Sequence, residues 1–416
     1  MRICIVGLGY VGLPLAVAFS KHYLVHGIDK NIRRIEELKA GIDSSGELEV
    51  CTDLVSKNLD FFSSCAELPH DFYDYYIICV PTPVDEAKQP DLSILCGATR
   101  EVGGHLKSGC TVVYESTVFP GATEDFCVPL LTEMSGLIFN RDFFVGYSPE
   151  RVNPGKGGKK LSEIVKVVSA SSISALNKME DLYGTIISEG IFRAKSIRVA
   201  EAAKVIENVQ RDVNIALMNQ LDNLFYRLGL DTYEVLETAR TKWNFLDFRP
   251  GFVGGHCIGV DPYYLSYVGK LNNFHLDLVD QSRRINDDYS SVVASRVVSR
   301  LFKISPKASP TVLVLGFTFK ENCPDTRNTK ILDLLFALNR YGVNVVVSDP
   351  WVPECDRPSL PNVSFCNYED ISESSPDAIV IAVAHDEFRS LTKDGLADMV
   401  ANKDLIFDLK NIFRSK

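Results

Sequence analysis

Along the first 190 or so residues, short apolar, β-branched runs alternate with stretches whose apolar positions recur at helical spacing. Residues 3–6, 24–28, 75–80, 111–114, 143–146 and 165–169 read as strands, each followed by turn residues and a helix-period segment. Near-continuous apolar strands separated by helices suit a parallel sheet covered on both faces, so the pattern predicts a doubly wound α/β domain. From Ser196 the period changes. Apolar residues fall at 199, 202, 206, 209, 213, 217, 221, 224 and 228, and Gly229 follows, which predicts one stripe on a helix of about 30 residues that spans domains or builds an interface. A helical middle region is expected to continue to about residue 300, interrupted by the Gly-rich segment 249–261. After the polar stretch 305–310, strands are predicted at 311–315, 343–348, 378–383 and 405–408, with a helix at 331–341. No tandem repeat is visible.

The length of 416 residues suggests two or three domains. Apolar residues at 46% and charged residues at 24% belong to an ordinary globular chain, not a disordered or fibrous one. Lys and Arg total 44 against 54 Asp and Glu, a formal charge of −10, and no basic run appears. A nucleic-acid or anionic-membrane surface is therefore not expected, and an anionic substrate would need cations gathered locally. The apolar stretch after Arg2 is broken by Gly7, Gly9 and Gly12 and lacks a small-residue cleavage site, so it does not read as a signal peptide. No apolar run reaches the roughly 18 residues of a membrane span, and a soluble protein is expected. The 11 cysteines, at 4, 51, 65, 79, 96, 110, 127, 257, 323, 355 and 366, form no CxxC pair, which suits reduced, mostly buried thiols in a cytoplasmic protein.

Candidate chemistry begins at Gly7-Leu8-Gly9-Tyr10-Val11-Gly12, a G-x-G-x-x-G directly after a strand and at the mouth of a helix. Glycines there let backbone N–H groups approach a pyrophosphate at the positive helix end. Asp29 closes the next strand, where a carboxylate accepts from ribose hydroxyls and repels a 2′-phosphate, favouring NAD over NADP; Lys30, Arg33 and Arg34 temper that preference. The fold class expected is α/β, with two Rossmann-like doubly wound domains joined by a long central helix and a helical middle domain. The second such domain lacks a full phosphate-loop fingerprint.

Lys204 and Asn208, four apart on the long helix, share a face, and a cation beside an amide donor suits an oxyanion, although a solvated pair is the commoner outcome. Four glycines crowd around Cys257 in segment 249–261, with Asp261 four residues beyond. A thiol there is either a small buried side chain or a thiolate nucleophile. His256 beside it is a poor partner because neighbouring side chains diverge, and no ligand spacing for zinc appears, so no metal is expected. Val80-Pro81-Thr82-Pro83, Glu115-Ser116-Thr117 and Tyr147-Ser148-Pro149-Glu150-Arg151 each follow a strand, where doubly wound folds bind ligands, and Glu150 could act as a base; each could equally be a turn.

Taken together, GLGYVGLPLA, VPTP, YESTV, GYSPER, AEAAKVIEN, GGHCIGVDPYYL and GFTFKENCPDTRNTK resemble the UDP-glucose/GDP-mannose dehydrogenase family over essentially the whole chain. GYSPERVNPG, TKWNF and GGHCIGVDPYYL look most like its bacterial UDP-N-acetylhexosamine 6-dehydrogenase branch, which serves capsule and O-antigen synthesis. The resemblance implies a four-electron oxidation of a sugar C6 alcohol to a carboxylate with two NAD+ in sequence. It implies Cys257 as nucleophile through a thiohemiacetal and a thioester. Lys204 and Asn208 would hold oxyanions, Asp261 and Thr117 would help order water, and Glu150 would serve thioester hydrolysis. Gly7, Gly9, Tyr10, Val11, Gly12, Asp29, Arg34, Pro81, Thr82, Ser116, Thr117 and Arg327 would contact NAD. Glu150, Arg151, Lys204, Asn208, Arg249, Gly254, Gly255 and Lys320 would meet the UDP-sugar.

The domains implied are 1–195 for NAD, 196–305 for the cysteine loop and dimerisation, and 306–416 for the UDP-sugar, in a homodimer or larger homo-oligomer. Val260 and Pro154 depart from the UDP-glucose enzymes, which points away from plain UDP-glucose, and Lys242 or Arg249 would stand in for a sugar-contacting arginine of some relatives. UDP-glucose or UDP-ManNAc 6-dehydrogenase, a two-electron hydroxyacid dehydrogenase, and a nucleotide-sensing binding protein are the competing expectations.

Overall fold

A computed structural model describes residues 1–45, 54, 56–152, 159–255 and 257–413; Cys51, Pro154 and His256 lie outside the described residues. The chain divides into two compact units, Met1–Glu207 with Tyr263–His275, and Asn208–Pro262 with Leu276–Lys416.

In the first unit β1 (Arg2–Val6), β2 (Leu24–Ile28), β3 (Leu59–Phe62), β4 (Tyr75–Ile78), β5 (Thr111–Tyr114), β6 (Phe144–Tyr147), β7 (Lys166–Ala170) and β8 (Ile191–Arg193) form one sheet. Its order is β3-β2-β1-β4-β5-β6-β7-β8. Neighbours pair in parallel except β6 and β7. Strand order reverses at β1, and such a switch point opens a crevice at the strand carboxyl ends. β3 and β8 escape the apolar pattern because Leu59-Asp60-Phe61-Phe62 alternates in burial and Ile191-Phe192-Arg193 has no buried residue. Helices α1 (Gly12–Ser20), α2 (Ile32–Lys39), α3 (Ser93–Gly103), α4 (Val128–Ser135) and α5 (Ile173–Gly184) complete the crossovers. Leu13, Leu15, Ala16 and Phe19 of α1 join Ile3, Ile5, Ile77, Val113 and Tyr183 in the core. Each large apolar side chain fully buried in this way contributes about 1.5–3 kcal/mol.

Helix α6 (Ile197–Leu228) is as long as the sequence suggests, and Gly229, at φ +70°, ends it. Much of its apolar stripe is exposed, and a polar face is buried instead. Val199, Ile206, Leu217, Leu224 and Leu228 are exposed, whereas Glu201, Lys204, Asn208, Asp212 and Asn219 are buried among Ala200, Val205, Val209, Ala216 and Met218. Polar groups occupy that face because most of them are paired there. Glu201 accepts from the Gly121 and Thr123 amides, Arg283 and Asn286 both donate to Asp212, and Asn219 bonds Asn286. Among the described residues, no helix is long and apolar enough to cross a membrane.

The second unit continues with α7 (Thr232–Ala239), α8 (Asp261–Leu271, which begins here and runs on into the first unit's Tyr263–His275) and α9 (Asp277–Ile304). Its sheet holds β9 (Thr311–Leu315), β10 (Asn344–Ser348), β11 (Val363–Cys366), β12 (Ala378–Ile381) and β13 (Ile406–Asp408) in the order β11-β10-β9-β12-β13, all parallel. α10 (Lys330–Arg340) and α9 cover one face through Val293, Val297, Leu301, Leu334 and Leu338. Phe388 and Leu396 cover the other. β11 is an edge strand without a buried residue, which is why its pattern is weak.

Candidate active site

The sharp turn after β1 is possible because Gly7 takes φ +94°. Gly12 is needed for close packing, since a Cβ there would lie 1.8 Å from the Gly7 carbonyl oxygen. The Leu8 amide donates to Asp29 Oδ2 at 2.9 Å, and the Asn31 amide donates to Oδ1 at 2.9 Å, so the carboxylate is oriented at the end of β2. A Cβ on Gly9 would meet no atom within 4 Å, which leaves the outer side of the turn open for backbone approach to a pyrophosphate. These residues fit a dinucleotide: the cradle is narrow at Gly7 and Gly12, open at Gly9, and flanked by an oriented carboxylate. Tyr10 and Val11 are half-buried at the mouth of α1. Arg34, expected at the cofactor, is buried; its guanidinium donates to the Leu8 carbonyl and pairs with Asp43 at 2.7 Å, bracing the turn from behind.

The loops beyond β4, β5 and β6 are stitched together. Thr82 Oγ1 donates to the Thr117 carbonyl at 2.6 Å, and Ser116 Oγ donates to the Val80 carbonyl at 2.6 Å. Tyr264 of α8, fully buried, donates its hydroxyl to the Thr82 carbonyl. Pro81 is exposed within the same loop. Glu150 Oε1 accepts from the Arg151 amide at 2.6 Å and from the Val152 amide. Arg151 pairs with Glu207 at 2.7 Å. Lys204 is buried, and among the described residues it has no hydrogen-bond or ion-pair partner, an uncommon state for an ammonium.

In the second unit the cysteine loop is clamped at two points. The Asn219 amide group donates to the Gly251 carbonyl at 3.1 Å and accepts from the Gly251 amide at 2.8 Å. Asn328 donates to the Gly255 carbonyl at 2.8 Å, and the Gly255 amide donates to the Asn328 carbonyl at 3.2 Å. Gly254 is required by this contact, because a Cβ there would stand 2.6 Å from the Asn328 oxygen. The Cys257 carbonyl accepts from the Val260 and Asp261 amides, so the residue sits in the turn that leads into α8. Asn208 donates to Asp261 Oδ2 at 2.6 Å, and both are buried. Arg327 forks onto Asp325 at 2.9 and 2.7 Å and stays half exposed. The Lys320 ammonium lies 5.7 Å above the Phe319 ring, and Arg249 stands 3.5 Å from Asp247.

Cys257 is exposed, unlike most of the other thiols. Burial pushes Cys65 and Cys127 up to about 12 and Cys110 up to about 11, and raises Cys4 and Cys79 well above the ordinary range. Two groups are not singled out by the sequence. Lys166 is a buried lysine on β7, paired with Glu115 at 2.5 Å. Lys410 follows β13 with its ammonium 3.9 Å from where a Gly251 Cβ would be, and burial, opposed by Glu321, holds it below its usual range. Neither lies in a local motif, so only folding reveals them.

A glycine turn opening a helix, an acid at the end of the second strand and an exposed thiol on a glycine-rich loop define a dinucleotide-dependent dehydrogenase. Three family descriptions match in chain order: the UDP-glucose/GDP-mannose dehydrogenase NAD binding domain over residues 1–187, the central domain over 198–288 and the UDP binding domain over 313–415. The chain belongs to the UDP-glucose/GDP-mannose dehydrogenase family, and it is an NAD-dependent nucleotide-sugar dehydrogenase. It is 46% identical over 411 residues to UDP-N-acetyl-D-glucosamine 6-dehydrogenase of Pseudomonas aeruginosa, covering 99% of this chain and 96% of that one. It is 45% identical over 416 residues to Protein CapL of Staphylococcus aureus, covering 100% and 96%. The solved UDP-D-ManNAc dehydrogenase of Pyrococcus horikoshii superposes with a TM-score of 0.87 at 32% identity, covering 100% of this chain and 97% of that one.

Proposed function

We propose that the chain oxidises C6 of a UDP-N-acetylhexosamine, UDP-GlcNAc or UDP-GalNAc, to the uronic acid in the cytoplasm, supplying surface polysaccharide synthesis. The 46% identity to a UDP-N-acetyl-D-glucosamine 6-dehydrogenase favours these two sugars over UDP-ManNAc, whose named dehydrogenases are 31–34% identical. NAD, held by Gly7, Gly9, Tyr10, Val11, Gly12, Asp29, Thr82, Ser116 and Thr117, with Arg34 bracing the turn, supplies the hydride acceptor for two successive oxidations.

The chain's own residues do the rest. Cys257 adds to the intermediate aldehyde to give a thiohemiacetal, a better hydride donor than the free aldehyde, and the second oxidation leaves a thioester. Lys204 and Asn208 stabilise the oxyanions, and Asp261, oriented by Asn208, with Thr117 helps order the water. Glu150 takes the proton as water attacks the thioester. Residues 1–195 serve the cofactor, with Arg327 reaching it from the last domain, 196–305 the thiol and assembly, and 306–416 the UDP-sugar through Lys320, with Arg151, Arg249, Gly254 and Gly255 lining the remainder. The exposed apolar stripe of α6 supports a homodimer, testable by light scattering.

The observation that carries the reading is the exposed Cys257 thiol on a glycine loop clamped by Asn219 and Asn328 at the start of α8. Incubation with UDP-GlcNAc, UDP-GalNAc, UDP-ManNAc, UDP-glucose or GDP-mannose tests it. Two NADH per sugar and an acid product from UDP-GlcNAc or UDP-GalNAc are expected, with Cys257→Ser abolishing the acid but retaining NAD binding. One NADH with a stable ketone or aldehyde would overturn the assignment.

A further inference from the structure

Beneath the loop that carries Glu150 lies a buried charge cluster to which the chemistry above gives no role. Lys166, 3% exposed, donates to Glu115 Oε2 at 2.5 Å and to the Pro149 carbonyl at 3.2 Å. Its Nζ is also 3.7 Å from Glu150 Oε2. Tyr183 donates its hydroxyl to Glu115 Oε1 at 2.5 Å. With both Glu115 oxygens accepting from donors, that residue is a carboxylate, although burial pushes its carboxyl up. Burial also works to lower Lys166, but Glu115 and Glu150 together outweigh it and hold the ammonium above its usual range.

The donor count is informative. An ammonium has three N–H groups, and two are used by Glu115 and Pro149, which leaves the third for Glu150. Glu150 is fixed on its other side, because Oε1 accepts from the amides of Arg151 and Val152. One carboxylate oxygen is thus tied to the backbone and the other faces a buried cation. A purely structural ion pair between Lys166 and Glu115 would need no second carboxylate.

We infer that Lys166 is a positioning residue for thioester hydrolysis: anchored by Glu115 and Tyr183, it holds the Glu150 carboxylate in the orientation from which it activates water. This rests on the reading of Glu150 as the hydrolytic carboxylate. In that step the water oxygen bonds to the thioester carbon, the C–S bond breaks, the sulfur leaves as thiolate, and the water proton passes to Glu150. No electrons move to or from a cofactor.

The test separates hydrolysis from the oxidations. Lys166→Met alone leaves Glu115 charged in the interior and threatens folding, so Glu115→Gln/Lys166→Met is made beside it; the introduced glutamine keeps an acceptor for Tyr183. Stopped-flow NADH formation and hydroxylamine trapping of the Cys257 thioester are measured on both, with Glu150→Gln as reference. The expected result is a burst of two NADH per subunit at the wild-type rate, then turnover about ten-fold slower with thioester accumulating, as suits loss of one buried ion-pair contact to Glu150. If burst and turnover slow together, or neither changes, while Glu150→Gln hydrolyses slowly, the role of Lys166 is overturned and that of Glu150 stands. If Glu150→Gln hydrolyses at the wild-type rate, the reading of Glu150 falls and the inference with it.

Discussion

The two sheets share a backbone frame at the end of their first strands and put it to different uses. Gly7 and Gly316 both turn with positive φ, +94° and +98°, and each donates its amide at 2.8 Å to the last residue of the neighbouring strand, Ile28 or Ser348. The next amide donates to an aspartate in both, Leu8 to Asp29 and Phe317 to Asp349. From there they part. α1 starts at Gly12, so a helix N-terminus stands directly over the turn; α10 does not start until Lys330, and the intervening loop carries Lys320, Arg327 and Asn328. Asp29 remains half-buried, whereas Asp349 is closed over by His385, whose Nδ1 accepts from the Asn322 amide and whose Nε2–H faces Asp349 Oδ2 at 3.0 Å. One frame thus leaves its acid partly open, and the other uses its acid to anchor a loop that grips Gly254 and Gly255.

Four experiments would break or sharpen that contrast. The largest effect is expected from Gly12→Ala, whose Cβ falls 1.8 Å from the Gly7 oxygen: NAD affinity by calorimetry should drop more than about 100-fold. Next comes the exchange of roles between the acids. Asp349→Ala removes an acceptor shared by Phe317, Thr318, Trp351 and His385 and should lower stability in urea by about 3 kcal/mol with NAD affinity retained. Asp29→Ala should weaken NAD about ten-fold and leave stability nearly unchanged; similar losses of affinity in both variants would erase the distinction.

The third effect is on acid stability. Burial works to raise the Asp349 carboxyl, but His385 and the Phe317 and Thr318 amides outweigh it and hold it below its usual range. Its folded pKa therefore lies beneath the unfolded value of about 3.9, so its contribution is complete above about pH 4 and is lost as pH falls through the folded value. Wild type should lose stability more steeply there than Asp349→Asn, measured by urea unfolding across acidic pH. The smallest structural effect belongs to Gly9→Ala, whose Cβ meets nothing within 4 Å: stability should stay within about 0.5 kcal/mol while NAD binds more weakly, since the open side of the turn is then filled.

Local period and turn chemistry made the first glycine turn, the interior strands and α6 readable from the chain alone. The second turn was hidden because its helix is delayed and Gly316 has no companion glycines. On α6 the apolar stripe was readable but the buried polar face was not: spacing says nothing about which polar side chains find partners, and Glu201, Asp212 and Asn219 are buried because amides, Arg283 and Asn286 meet them. Lys166 was invisible for the same reason, since the groups around it lie in the loops after β5 and β6 and on α5. Asn219 occupies no motif and Asn328, although within GFTFKENCPDTRNTK, was given no role there, yet they hold the glycine loop that the sequence brought forward for its cysteine.

The uneven exposure of the thiols has a practical consequence. Among the described residues, Cys257 and Cys355 are the exposed cysteines, and Cys355 lies in a short helical turn of the second unit. With Cys355→Ser in place, Cys257 is the one exposed thiol among the described residues, ahead of the half-buried Cys79, Cys96 and Cys366, for an alkylating reagent or fluorescent maleimide. Its labelling rate can then be followed as NAD or a UDP-sugar is added, giving a count of competent subunits before any turnover is assayed.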